Sequence, residues 1–263
     1  EQMPGNLGQN LSLPGQESGP RTSTSSSSSS DGGISGIAYY QPGVYGPADS
    51  STRWTVYNVA VYAENVTLRN MRVTQNVVVN QPGCVLENMI IEGDLLLATG
   101  IGEGEVTLTN TSVTVSTTIQ GGGHASIHII NSQLGNVIAN KSGNVVRIVA
   151  EGSTSVGPLQ LLSGAIIEEG GLTGTGFSGV AISGAIPAGT TIILRGSFTS
   201  LDIDVPNLNI IIESGGVQTI NISTAAANTT LTLAAGVSVQ TLNTSAAAIT
   251  SGTYGATVTP LDS

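Results

Sequence analysis

A single cysteine, Cys84, excludes an intrachain disulfide, so no covalent cross-link holds this chain together. Aromatic residues make up 3% of the 263 positions, which rules out a core built on large rings. Lys and Arg number 7 against 17 Asp and Glu, giving a net charge of -10. Nucleic-acid binding and contact with anionic lipid both call for a basic patch, and none is present. No run approaches the roughly 18 consecutive apolar residues of a membrane-crossing helix, so no membrane span is expected. A lone cysteine leaves the redox compartment open. The chain starts at Glu1 rather than Met, which predicts a processed form with a secretion signal removed.

What the chain does contain is Gly, 35 of them, and small aliphatic residues suited to pleated strands. Residues 1–35 stand apart. They carry Pro4, Pro14, Pro20 and the serine run Ser25 to Ser30, a composition that reads as an extended tail or linker. Residues 36–263 read as one domain. From about Trp54 a repeat runs through Val66-Thr67-Leu68-Arg69-Asn70, Cys84-Val85-Leu86-Glu87-Asn88, Val106-Thr107-Leu108-Thr109-Asn110 and Ile127-His128-Ile129-Ile130-Asn131. Weaker copies centre on Ile148, Ile167, Leu194, Ile211 and Leu233, for a mean step of about 21 residues. A second apolar pair follows nine and eleven residues after the centre in Val77/Val79, Leu95/Leu97, Thr117/Ile119, Ile220/Ile222 and Leu242/Thr244. A further apolar residue lies five after it, at Val73, Ile91, Val113 and Leu134.

A unit this short cannot bury its own apolar face, whereas stacked units can. The expected fold is therefore all-β: a single-stranded parallel β-helix of about nine to ten coils in three sheets. Nine coils at about 4.8 Å each make a rod of about 43 Å. Alternation of side chains places Val66, Cys84, Val106 and Ile127 in one interior column. Carried one step further, it points Asn70, Asn88, Asn110 and Asn131 inward as a core ladder of amides. A β-sandwich would not hold a constant offset inside each repeat, and a propeller blade needs about twice this period.

The stretch from Tyr45-Gly46-Pro47 through Val66-Thr67-Leu68-Arg69-Asn70 resembles the β-helical region of Gram-positive cell-surface proteins, which often carry S-layer-homology anchoring repeats. Gly102-Glu103-Gly104-Glu105-Val106-Thr107-Leu108, Gly121-Gly122-Gly123-His124-Ala125-Ser126-Ile127-His128-Ile129 and Asn144 to Gly152 share the likeness, which spans about residues 45–255. It implies an extracellular, wall-associated stalk or display module. The anchoring repeats themselves are missing from this sequence.

Candidate chemistry is sparse. Asp202/Asp204 and Glu92/Asp94 are carboxylates two apart on strands, a spacing open to a glycosidase or a Ca²⁺ site but more simply a solvated edge. Glu168-Glu169 reads as a charged turn. His124 and His128 do not share a helix face and make a poor metal pair. Cys84 occupies a core slot. Arg69, Arg72 and Arg147 are expected to pair with Glu87, Glu92 and Glu151 on neighbouring coils. No catalytic constellation, cofactor site or metal site is expected.

The reading is a non-enzymatic extracellular structural protein, a homo-polymer assembling head-to-tail. Its expected assembly residues are Leu7, Leu11 and Leu13 in the tail and Tyr39, Tyr40, Tyr45 and Trp54 at the first coils. The alternative is an adhesin module contacting carbohydrate or the cell wall.

Overall fold

The structure is a computed structural model, and it describes residues 36–244. Within them lies one architecture, a parallel β-solenoid of about ten turns, with a single 3-10 turn at Thr99–Ile101 as the only helical element among the described residues. Residues 1–35, with Leu7, Leu11 and Leu13, and residues 245–263 lie outside the described part.

Three parallel sheets run along the rod. Sheet A stacks Ile37–Tyr39, Val59–Val61, Val77–Val79 and Leu95–Leu97 in direct register, and continues through Thr117, Val137, Leu159, Val180, Leu201, Ile220 and Leu242. Sheet B stacks Gly43–Tyr45, Val66–Arg69, Cys84–Glu87, Val106–Thr109 and His128–Ile130, and ends on Thr230–Leu233. Sheet C carries Val73, Ile91, Val113, Leu134, Val156 and Phe177 in one line, then Phe198, Val217 and Val239. Phe177 and Phe198 contact at 6.3 Å between ring centroids.

Period-two alternation decides what fills the interior. Val66, Cys84, Val106 and Ile127 are all buried in one column, as the alternation predicts. The three interior columns merge into a single apolar cluster running from Tyr39 to Val239. Burial of this aliphatic surface is what each coil contributes to its neighbours, at roughly 25 cal/mol per Å².

Register departs from the sequence reading in two places. Ile129 pairs with Ala150, so Ile148 aligns with Ile127 and not with Ile129. A bulge after Leu194 aligns that residue with Ile212, which leaves Ile211 outward and half-buried.

The asparagines are corrected as well. Asn70, Asn88, Asn110 and Asn131 do not form an inward ladder. Each is a one-residue corner between sheets B and C with φ of 54°, 51°, 49° and 49°. Asparagine tolerates this left-handed region better than other side chains, which explains its recurrence at one slot. Gly152, φ 61°, takes the same corner one coil on, where a Cβ would stand 2.2 Å from Asn131 Oδ1. A left-handed residue breaks the alternation and turns the side chain out of the core. Asn88 is half-buried and Asn110 and Asn131 are exposed, while Asn70 is buried under the Gly46–Arg53 loop. Among these four, one amide pair forms: Asn88 Nδ2 donates to Asn70 Oδ1 at 2.6 Å, and Asn70 Nδ2 donates to Pro47 O at 2.7 Å.

The buried polar ladder is formed instead by hydroxyls just after these corners. Thr111, Ser132 and Thr154 are fully enclosed. Thr111 Oγ1 accepts from Met89 N, Ser132 Oγ from Thr111 N, and Thr154 Oγ1 from Ser132 N. In turn they donate to carbonyls of Leu86, Ile130 and Ile129. Every member has both a donor and an acceptor partner, which burial of a hydroxyl requires.

Candidate functional site

Three regions bring chemically active side chains together. The first is the N-terminal end of the rod. Tyr39 and Tyr45 point inward from the first coil with ring centroids 4.2 Å apart, and they cover the end of the aliphatic core. Burial raises both phenols above the ordinary tyrosine range. Tyr40 and Tyr62 stack on the outside at 5.3 Å and are 55% and 45% exposed. Trp54 and Tyr57 are exposed too. The sequence-derived assembly residues thus divide: Tyr39 and Tyr45 are core-facing, Tyr40 and Trp54 are accessible. The strands of this coil, Ile37–Tyr39, Gly43–Tyr45 and Trp54–Val56, each pair on one side only among the described residues. At the opposite end Thr230–Leu233 likewise pairs on one side only among them.

The second region is a run of ion pairs on the outer face of sheet B. Glu168 takes Arg147 at 2.9 Å and Arg195 at 3.1 Å, and Arg195 reaches Glu213 at 2.7 Å. The Arg147 hydrogen bond holds the Glu168 carboxyl below the usual carboxylate range. Arg147 therefore pairs with Glu168 and not with Glu151, which instead approaches His128 Nδ1 at 3.4 Å. Arg72 meets Glu92 as the sequence predicts.

Glu168 and Glu169 are not a turn; both sit within the strand Ala165–Leu172. Glu169 follows Ile129 and Ala150 in an interior column, and its carboxylate accepts Phe177 N at 3.2 Å and Ser197 N at 2.8 Å. Gly196 leaves it room: a Cβ there would lie 2.7 Å from Glu169 Oε2. Burial raises its pKa despite the two N–H donors. No sequence signal marked this residue, because the pair Glu-Glu looks solvated.

The third region is a cavity of about 480 Å³ at the corner between sheets B and C, lined by Ser50, Arg53, Arg69, Glu87, Asn88 and Asn110 among others. Arg69 and Glu87 are in register on adjacent strands, yet they form no ion pair. Arg69 Nε is buried and has no hydrogen-bond partner.

The remaining candidates separate. Asp202 accepts from Asn221 Nδ2 at 2.6 Å, and Asp204 from Ser223 Oγ. Asp94 accepts from Ser116 N and Oγ. Cys84 is buried, with Sγ 3.2 Å from Gln81 O and its thiol pKa raised by burial. His124 is exposed, and His128 Nε2 lies 2.9 Å from Ala125 O. Among the described residues no group of three His, Cys, Asp or Glu side chains could hold a metal ion, and no helix is long and apolar enough to cross a membrane.

No family model, curated protein or solved structure compared with this chain matches it. The class defined by its geometry is the parallel β-solenoid.

Proposed function

We propose that the chain is an extracellular structural protein, a β-solenoid subunit of a cell-surface filament or stalk that assembles head-to-tail as a homo-polymer. The observation that carries this reading is the pair of ends. The first and last described coils present the same three-sheet cross-section, and the strands Ile37–Tyr39, Gly43–Tyr45 and Trp54–Val56 at one end and Thr230–Leu233 at the other are hydrogen-bonded on one side only among the described residues. Unpaired strand edges are templates for another chain, and two different ends meeting head-to-tail propagate instead of closing. Residues 1–35 precede the edge strand Ile37–Tyr39 in the sequence, and in this reading they are the connector, with Leu7, Leu11 and Leu13 as anchors. The function is read as non-catalytic and free of cofactors.

The test is negative-stain microscopy with light scattering on the purified full chain and on a form lacking residues 1–30. Fibres from the full chain and a folded monomer from the shortened one are expected. A full chain that stays monomeric at high concentration defeats the reading, and equal polymerisation of both forms removes the tail as connector.

The carbohydrate- or wall-binding alternative draws on Tyr40 and Tyr62, whose stacked, exposed rings at 5.3 Å offer an apolar face to a sugar. Loss of polysaccharide retention in Tyr40→Ala with assembly unchanged would favour it.

A further inference from the structure

Four of the six Lys and Arg side chains among the described residues are ion-paired. Among the described residues, Arg72 pairs with Glu92, Lys141 with Glu103, Arg147 with Glu168, and Arg195 with Glu168 and Glu213. Arg53 and Arg69 are the two arginines among the described residues with no carboxylate partner, and both line the same cavity at the corner between sheets B and C. Arg53 is steadied there, its Nη2 donating to Asn88 Oδ1 at 2.8 Å. Arg69 Nε is enclosed without an acceptor. That enclosed N–H faces away from solvent, and the cavity is reached by the two guanidiniums that lack a carboxylate partner, a pair suited to receive a planar anion.

The other lining groups narrow the class. Glu87 places a carboxylate on the same wall, which opposes a densely charged ligand such as a phosphate ester. The same oxygen atoms accept well from hydroxyl groups. Asn110 lines the cavity with no side-chain hydrogen bond among the described residues, so its amide can both donate and accept. Ser50 adds a hydroxyl. A volume of about 480 Å³ suits a ligand the size of one or two sugar rings. A single carboxylate carried on a polyhydroxylated ring satisfies every one of these groups.

We propose that this corner cavity binds a uronic-acid residue, its carboxylate held by Arg53 and Arg69 and its hydroxyls by Glu87 and Asn110. The proposal is independent of filament formation. It also places the sugar at a site separate from the Tyr40–Tyr62 stack.

Calorimetric titration of the full chain with galacturonate and with its trimer tests it, alongside the neutral galactose trimer and inorganic phosphate. Uronate binding that weakens with added salt is expected. Affinity should fall at least tenfold in Arg53→Gln/Arg69→Gln, and severalfold in Arg69→Lys, which keeps the charge but loses the planar fork. Arg72→Gln, a surface arginine outside the cavity, should bind as the parent does, and circular dichroism checks that each variant is folded. Should the double variant fail to fold, Arg69→Lys decides alone. The proposal is overturned by absence of uronate binding, by unchanged affinity in the folded arginine variants, or by phosphate binding more tightly than uronate. Neutral trimer bound equally well in parent and arginine variants points to the tyrosine stack, and it overturns the cavity proposal if uronate behaves the same way.

Discussion

Thr117 offers a sharp test of how this interior is held. It stands in the sheet A column between Leu95 and Val137, both completely enclosed, and is itself 1% exposed. Its hydroxyl has no hydrogen-bond partner. Enclosing a hydroxyl without a partner costs about 1–3 kcal/mol. Thr117→Val keeps the branched shape and replaces the hydroxyl with a methyl among aliphatic neighbours. It should therefore stabilise the protein by about 2 kcal/mol, which for a fold of this length is a rise of roughly 4–8 °C in midpoint. The same substitution six residues earlier should do the opposite. Thr111→Val removes the acceptor of Met89 N and the donor to Leu86 O, and should cost about 1–3 kcal/mol. Urea unfolding followed by far-ultraviolet circular dichroism measures both, with hydrogen exchange reporting whether coils open separately, as stacked repeats can. Destabilisation of Thr117→Val, or effects of equal sign at the two sites, would refute the reasoning.

Three further outcomes are expected. At the left-handed corner, Asn110→Gly should change stability by less than about 0.5 kcal/mol, whereas Asn110→Val should cost about 1–2 kcal/mol, read from denaturation midpoints. The folded Glu169 carboxyl keeps its proton to a higher pH than in the unfolded chain, so its contribution is fully present below the unfolded pKa and declines as pH rises through the folded value. Glu169→Gln should abolish that decline with rising pH, while its single acceptor oxygen cannot serve both Phe177 N and Ser197 N and so lowers stability by about 1–3 kcal/mol at any pH, whereas Glu168, shifted the other way, contributes above the unfolded carboxylate range and loses it on acidification. Pectin and alginate should yield no products with the pure protein in a reducing-sugar assay, and turnover abolished by Asp202→Asn or Asp204→Asn would contradict the non-catalytic reading.

The interior columns were legible because buried strands repeat Val, Ile and Leu at every second position, and a constant offset fixes which strands stack. Where that signal thins, the reading slips. Ile127 and Ile129 both face inward, so parity could not say which of them Ile148 lies above. In Ile210-Ile211-Ile212 alternation vanishes and the bulge after Leu194 is invisible. The asparagines show a different limit, since counting by twos holds only while the backbone stays extended. A recurring Asn directly after a strand was itself the mark of a left-handed corner. The hydroxyl ladder had a signal too: Thr111, Ser132 and Thr154 recur one coil apart, but Ser and Thr are so frequent here that the spacing does not stand out. The corner cavity depended on which carboxylate each arginine chose, and that is settled by side-chain reach across coils, not by spacing along the chain.

The charged run Arg147, Glu168, Arg195, Glu213 has one more implication. Aliphatic columns are nearly interchangeable, so the core alone would tolerate a coil being skipped or doubled during folding. Charges that alternate in sign from turn to turn do not. Skipping the coil that carries Glu168 would set Arg147 against Arg195, and skipping the one that carries Arg195 would set Glu168 against Glu213. The outer face thus acts as a parity check on a winding process that the interior cannot proofread.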